Sequence, residues 1–183
     1  MILENYETPR LKFRSLCAAD RDVLKIFFEN KEAVKFLNVP ADPGTYIATW
    51  IGRQESRYES MGTGLCALIL KETGEMIGHS GLVRQFVDGI PKWEVGYHLL
   101  PAFWGRGYAT EAAIACRNYC FENEMAETLI SLIHPENKKS IAVAKRNGMA
   151  FWKTTLFKGQ PSNVYRVRRE DWEKMKASVQ HAL

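Results

Sequence analysis

The stretch Trp104–Ala113, WGRGYATEAA, joins an alternating run, KWEVGYHLL (92–100), to a segment with small apolar residues at helical spacing. The junction carries two glycines one residue apart, and glycine weakens a strand end and a helix start alike. A chain keeps such a junction where backbone must come close to a ligand or make a tight turn. The first N–H groups of a helix lack intrahelical partners, and the helix dipole adds roughly half a positive charge there. Strand, Gly-x-Gly, helix is therefore either an anion site, most naturally for phosphate or diphosphate, or a turn that needs glycine for geometry alone.

The surrounding pattern is mixed α/β. Leu11, Phe13 and Leu16 suggest a first strand after Pro9, and residues 18–37 read as a helix with Asp20 as N-cap and Val23, Ile26, Phe27, Val34 and Leu37 on its apolar face. A second helix opens with Asp42 as N-cap and Pro43 at its first position, buries Tyr46, Ile47, Trp50, Ile51 and Tyr58, and stops at Gly62. Turns at Thr73-Gly74 and Asp88-Gly89 mark hairpins. The run 92–100 sets Trp93, Val95, Tyr97 and Leu99 on one face and Glu94, Gly96 and His98 on the other. After the glycines a helix presents Ala109, Ala112, Ala113, Cys116 and Cys120 on one side. A strand (127–134) and a helix (137–149) stopped by Asn147-Gly148 follow. Two strands around a turn from Gly159 to Asn163 and an amphipathic tail at Trp172 and Met175 close a single domain, 1–183.

At 183 residues, 46% hydrophobic and 25% charged, the chain reads as soluble and globular. Its net charge of +4 suits an anionic small molecule, and no interleaving of aromatic and basic residues points to nucleic acid. Cys17, Cys66, Cys116 and Cys120 show no CxxC or CxxxH spacing, so they read as reduced, buried thiols in a cytoplasmic protein, with no metal site. The opening MILENYETPRLKFRS is charged from its fourth residue, unlike a signal peptide, and no apolar run is long enough to span a membrane. A Walker loop is excluded because no GxxxxGK occurs, and a dinucleotide fingerprint is weakened because Thr110 stands where a third small residue belongs.

The segments EVGYHLLPAFWGRGYATEA (94–112) and HPENKKSIAVAKRNGM (134–149), with the opening TPRLKFR (8–14), closely resemble the GNAT superfamily of acyl-CoA-dependent N-acetyltransferases, most of all its RimJ/RimL-like branch. The resemblance implies a central, mostly antiparallel sheet of six or seven strands flanked by helices, with acetyl-CoA as cosubstrate. The superfamily's phosphate loop is Gln/Arg-x-x-Gly-x-Gly/Ala; Gly107 and Ala109 match its last two positions, while Trp104 replaces Gln or Arg. By resemblance, main-chain N–H groups of the loop Trp104, Gly105, Arg106, Gly107, Tyr108, Ala109 and Thr110 hold the coenzyme's diphosphate. The pantetheine arm lies along Tyr97, His98 and Leu99, where a backbone N–H also polarises the thioester carbonyl.

An amine must be neutral to attack a thioester; a lysine-like ammonium of pKa ~10 is almost wholly protonated at neutral pH, whereas an α-amine near ~8 needs less help. The resemblance makes Glu94 the base, directly or through water, with a structural pairing to Arg84 as the alternative. His98 shares the Glu94 face and offers a relay, whereas His79 and His134 read as structural. Asn137 and Ser140 match the branch's Asn-x-x-Ser: Asn137 caps its helix and bonds pantetheine. Ala144 occupies the position of the family's acid tyrosine, leaving Ser140 or water for that role. Lys145, with Lys138, Lys139 and Arg146, is a candidate for the 3′-phosphate. Phe36, Tyr46, Trp50, Trp152 and Tyr165 are candidate walls of an acceptor pocket.

The expected reaction is acetyl transfer to a primary amine, on a peptide N-terminus or a small molecule, by a monomer or homodimer without nucleic-acid or membrane partners. A non-catalytic acyl-CoA-binding sensor or partner module is the alternative.

Overall fold

The computed structural model describes residues 3–40 and 42–180. Seven strands form one sheet in the order β1-β2-β3-β4-β5-β7-β6. They are β1 (Leu11–Arg14), β2 (Leu65–Leu70), β3 (Met76–Val87), β4 (Ile90–Leu99), β5 (Thr128–Ile133), β6 (Ala150–Phe157) and β7 (Gln160–Arg168). Every neighbouring pair is antiparallel except β4 and β5. The helices are α1 (Arg21–Glu29), α2 (Pro43–Met61), α3 (Tyr108–Glu122), α4 (Lys138–Arg146) and α5 (Arg169–Gln180).

Period-two patterning divides the core between the two faces of the sheet. On one face Phe13, Leu68, Ile77, Leu82, Val95 and Leu99 pack under Ala112, Cys116 and Phe121 of α3, Val143 of α4 and Trp172 of α5. On the other, Leu65, Ala67 and Val83 pack under Leu24, Phe27 and Phe28 of α1 and Ile47, Trp50 and Ile51 of α2. The small residues of α3 let this helix lie close to the sheet.

Local signals place several elements as expected. Asp42 Oδ1 accepts the Gly44 N–H at 3.0 Å, and the helix ends at Gly62 in the left-handed region. Other expectations are corrected. The helix expected over 18–37 ends at Glu29, because Asn30 turns extended and its Oδ1 accepts from the N–H groups of Glu32 and Ala33, replacing the next helical bonds. With the helix cut short, Leu24 and Phe28 join Phe27 inside while Ile26 is 60% exposed. Asp20 stands at the N-cap position of α1 as expected, but its side chain makes no cap bond; its carboxylate accepts from Cys17 N–H and both terminal nitrogens of Arg14, closing the 3-10 turn Ala18–Asp20. The last hairpin turns at Lys158 and Gly159 alone, with Asn163 already inside β7. Cys17 is exposed, whereas Cys66, Cys116 and Cys120 are buried thiols. Among the described residues no helix is long and apolar enough to cross a membrane.

Candidate active site

The parallel pair β4–β5 registers only at Trp93↔Leu129 and Glu94↔Ile130. Beyond Glu94 the two strands part, and the seam opens into a cleft of about 910 Å³. Backbone alternation decides which groups face it. Leu100 N–H donates to Ile77 O at 2.9 Å, so the even residues of β4 direct their backbone to β3 and the odd ones to the cleft side. The Val95 carbonyl there accepts the Ser131 hydroxyl at 3.0 Å, and the Leu99 carbonyl accepts Trp104 Nε1 at 2.8 Å. The Tyr97 N–H and C=O and the Leu99 N–H remain directed at the cleft.

At one end of the cleft lies the glycine loop. Gly105 (φ 74) and Gly107 (φ 83) both adopt the left-handed region, and Gly107 opens α3 without any side-chain cap. Gly105, Gly107, Tyr108, Ala109 and Thr110 line the cleft. Trp104 therefore has a structural office: its indole ties the loop to the end of β4, with Lys139 Nζ 4.1 Å from its ring. Arg106 is exposed, its guanidinium lies 5.6 Å from the Phe103 ring, and it does not line the cleft.

The opposite wall is the first turn of α4. Asn137 Oδ1 accepts the Ser140 N–H at 3.1 Å, as a capping asparagine should, and the Tyr97 hydroxyl donates to the Ser140 carbonyl at 3.0 Å. Lys138, Lys139 and Arg146 line the cleft and Lys145 does not, because helical periodicity turns position 145 outward. Arg146 Nε donates to the Thr110 hydroxyl at 3.1 Å, joining α4 to α3 across the cleft end.

Glu94 sits where the strands separate. Its Oε1 accepts the Leu132 N–H at 3.4 Å. Burial pushes its carboxyl above the usual carboxylate range, opposed by hydrogen bonds from Gln85 and Leu132 and by the charges of Lys158 and Arg57. Arg84 is not its partner; that guanidinium lies 5.8 Å from the Trp93 ring. His98 shares the Glu94 face and lines the cleft, but its surroundings are rings: His79 at 4.9 Å, Phe27 at 5.9 Å and Trp50 at 6.2 Å. Burial lowers its pKa to about 4, so it is a neutral imidazole at neutral pH.

Of the segment 30–37, which lines the cleft, sequence reasoning named only Phe36 and set the rest in a helix. Glu32 pairs with Lys139 at 2.8 Å, and Phe36 stacks on His134 with centroids 4.8 Å apart. Of the aromatic residues expected to wall an acceptor pocket, Phe36 lines this cleft. Tyr46 and Trp50 belong to the ring cluster around Phe28, Tyr165 is buried against Phe151, and Trp152 is overlain by Lys92, Lys153 and Arg166. Only contacts made after folding separate these roles; an aromatic residue on a helix or strand reads alike in each.

Residues 10–150 match the profile of the acetyltransferase (GNAT) domain. The chain belongs to the GNAT acetyltransferase family. YkkB of Bacillus subtilis (strain 168) is 32% identical over 161 residues, which cover 86% of this chain and 92% of YkkB. The acetyltransferase structure from Agrobacterium tumefaciens str. C58 is 30% identical, with a TM-score of 0.77 over 89% of this chain and 93% of that one. The aminoglycoside acetyltransferase AAC(6')-Ib, solved with coenzyme A, has a TM-score of 0.70 over 91% of this chain and 99% of that one; at 15% identity it bears on fold alone. As a GNAT acetyltransferase, this protein carries the fold that binds acetyl-CoA and transfers its acyl group.

Proposed function

We propose that this GNAT protein acetylates a primary amine by direct attack within a ternary complex, and that it belongs to the RimJ/RimL-like branch as a cytoplasmic, single-domain enzyme. One observation carries the reading: a single cleft is lined by main-chain groups of β4 and of the α3 start that have no protein partner, and it reaches the half-buried carboxylate of Glu94. Such a lining suits a ligand that is part amide chain and part diphosphate. The residues fit acetyl-CoA, because the loop combines two left-handed glycines, which carry no side chain of their own, with the uncapped N–H groups of α3.

When bound, acetyl-CoA supplies the activated acetyl group. The N–H groups from Gly105 to Thr110 hold the diphosphate, and Arg146, fixed on Thr110, brings positive charge to the same end of the cleft. Tyr97 N–H and C=O bond the pantetheine arm as a neighbouring strand would, and the Leu99 N–H adds a donor. Asn137 has spent its oxygen on the Ser140 N–H, so its amide nitrogen is the group left to meet a pantetheine carbonyl. Lys138 and Lys139, rather than Lys145, are the lysines of α4 that line the cleft. Glu94 takes the proton of the acceptor ammonium, directly or through water; its raised pKa makes it a better base than an exposed carboxylate. Ser140 lines the cleft at the α4 turn and is the donor available to a departing thiolate, where Ala144 offers none.

The acceptor is an amine on a peptide N-terminus or on a small molecule. The test supplies acetyl-CoA with panels of peptides, amino acids, polyamines and aminoglycosides, follows thiol release, and identifies the acetylated product by mass spectrometry. Turnover with one class names the acceptor. Coenzyme A binding without turnover on any of them points instead to an acyl-CoA sensor.

A further inference from the structure

The loop's carbonyls matter as much as its N–H groups, because a peptide that presents oxygen to a diphosphate repels it. The Arg106–Gly107 peptide lies between two left-handed glycine positions, 105 and 107, and glycine freedom makes it easy to flip. The side chain bonded to it comes from the far end of the chain. Arg10, the residue before β1, donates from a terminal guanidinium nitrogen to the Arg106 carbonyl at 2.9 Å. Its Nε donates to Glu111 Oε2 at 2.6 Å, and its own main-chain N–H to Glu111 Oε1 at 2.9 Å. The Thr8 hydroxyl donates to the same Oε1 at 2.6 Å. The guanidinium stacks 4.4 Å from the Tyr108 ring, and its second terminal nitrogen lies 3.3 Å from where a Cβ on residue 107 would stand.

In a trans peptide the carbonyl and the following N–H point in opposite directions, and no cis peptide occurs among the described residues. Arg10 is absent from the cleft lining, whereas Gly107 belongs to it. With the Arg106 oxygen held by Arg10, the Gly107 N–H points the opposite way, and residue 107 borders the cleft. The planar fork then holds two directions at once: one nitrogen on the first turn of α3, through Glu111, and one on the loop carbonyl. Because Glu111 neutralises the guanidinium, the contribution is orientation rather than net charge.

We propose that Arg10 is a positioning residue for diphosphate: it locks the Arg106–Gly107 peptide with its N–H toward the ligand and its oxygen away. The proposal rests on the reading that this loop holds the diphosphate of coenzyme A.

The test compares coenzyme A with pantetheine, which lacks the diphosphate, using calorimetry for the first and saturation-transfer NMR for the second. Arg10→Gln is expected to weaken coenzyme A by about 10- to 30-fold, the loss of a charge-assisted hydrogen bond that orients a second one, and to leave pantetheine within about twofold. Arg10→Lys keeps the charge but not the fork, so it should recover less than half of the logarithmic loss, with the salt dependence of binding unchanged. Thr8→Val removes a tie between the β1 approach and α3 while sparing the Arg106 contact, and should leave coenzyme A affinity within about twofold. If Arg10→Gln proves unstable by thermal melt, Arg10→Lys and Thr8→Val carry the comparison. Equal weakening of both ligands, full rescue by lysine, or equal weakening by Thr8→Val would overturn the proposal. A wild-type protein that binds coenzyme A no better than pantetheine would instead remove the diphosphate reading beneath it.

Discussion

Two helices begin at the same cleft and begin in opposite ways. α4 closes its own first turn, since Asn137 accepts the Ser140 N–H and one orphan donor is satisfied internally. α3 starts from Gly107 in the left-handed region, with no side-chain cap and its first N–H groups facing the cleft. A capped start is worth about 1 kcal/mol of stability; the uncapped start forgoes it. The contrast separates two uses of one physical feature. At α4 a donor serves the fold, and in the proposed function those of α3 are kept for an anion, with Arg10 and Glu111 bonded to the open turn from outside.

The sharpest way to break this contrast is Gly107→Val. A β-branched residue at φ 83 is strained, and its Cβ would press on the Arg10 guanidinium, so the loop must rearrange. Coenzyme A affinity should fall by about 1,000-fold, the combined effect of that strain and two lost charge-assisted bonds, while circular dichroism stays native. A change of less than threefold by calorimetry would mean that the α3 start is not the anion site. Glu94→Gln touches neither helix start. It should lower turnover about 100-fold, as expected for loss of a general base, with coenzyme A affinity unchanged. The sign of the pH dependence follows from burial. Because the Glu94 pKa is raised, the wild-type rate climbs as pH rises through a value above the ordinary carboxylate range, and this limb disappears in the variant. An unchanged pH profile would take Glu94 out of proton transfer. The smallest effect belongs to Asn137→Ala, which should cost about 1 kcal/mol in urea unfolding and weaken coenzyme A by only about threefold, one neutral hydrogen bond. If it weakened the ligand as much as Gly107→Val, the two helix starts would be equivalent and the contrast would dissolve.

Features written within a few residues were legible before folding. The Asp42-Pro43 start and Gly62 stop of α2, the Asp88-Gly89 turn, the alternation of β4 and the glycine opening of α3 all depend on local backbone preference. So did the assignment of Asn137 as a cap. Where local side-chain chemistry competed with periodicity, the reading failed: Val34 and Leu37 keep helical spacing after Phe27, yet Asn30 ends α1 by bonding the next N–H groups itself. The lining of the candidate cleft was legible along β4, the glycine loop and Asn137, and illegible where it depends on distant segments meeting. Nothing near Arg10 announces a contact with residue 106, nor does anything near Phe36 announce a stack on His134. Trp50 and Tyr46 carry the same apolar signature as a pocket wall, yet Trp50 is core and Tyr46 packs half-buried against it. Lys145 and Arg146 are adjacent cations, and only the helical turn between them decides which one meets the cleft.

The central claim is that the uncapped α3 start receives the coenzyme's diphosphate. A titration of the labelled protein with coenzyme A, read in amide proton–nitrogen spectra, tests it most directly. The account predicts that the largest shifts fall on Gly105, Gly107, Ala109 and Thr110, with smaller ones at Tyr97 and Leu99, and that Ser140 moves least because its N–H is already spent on Asn137. Saturable binding that leaves the 105–110 amides in place while moving those of the α4 turn would contradict it.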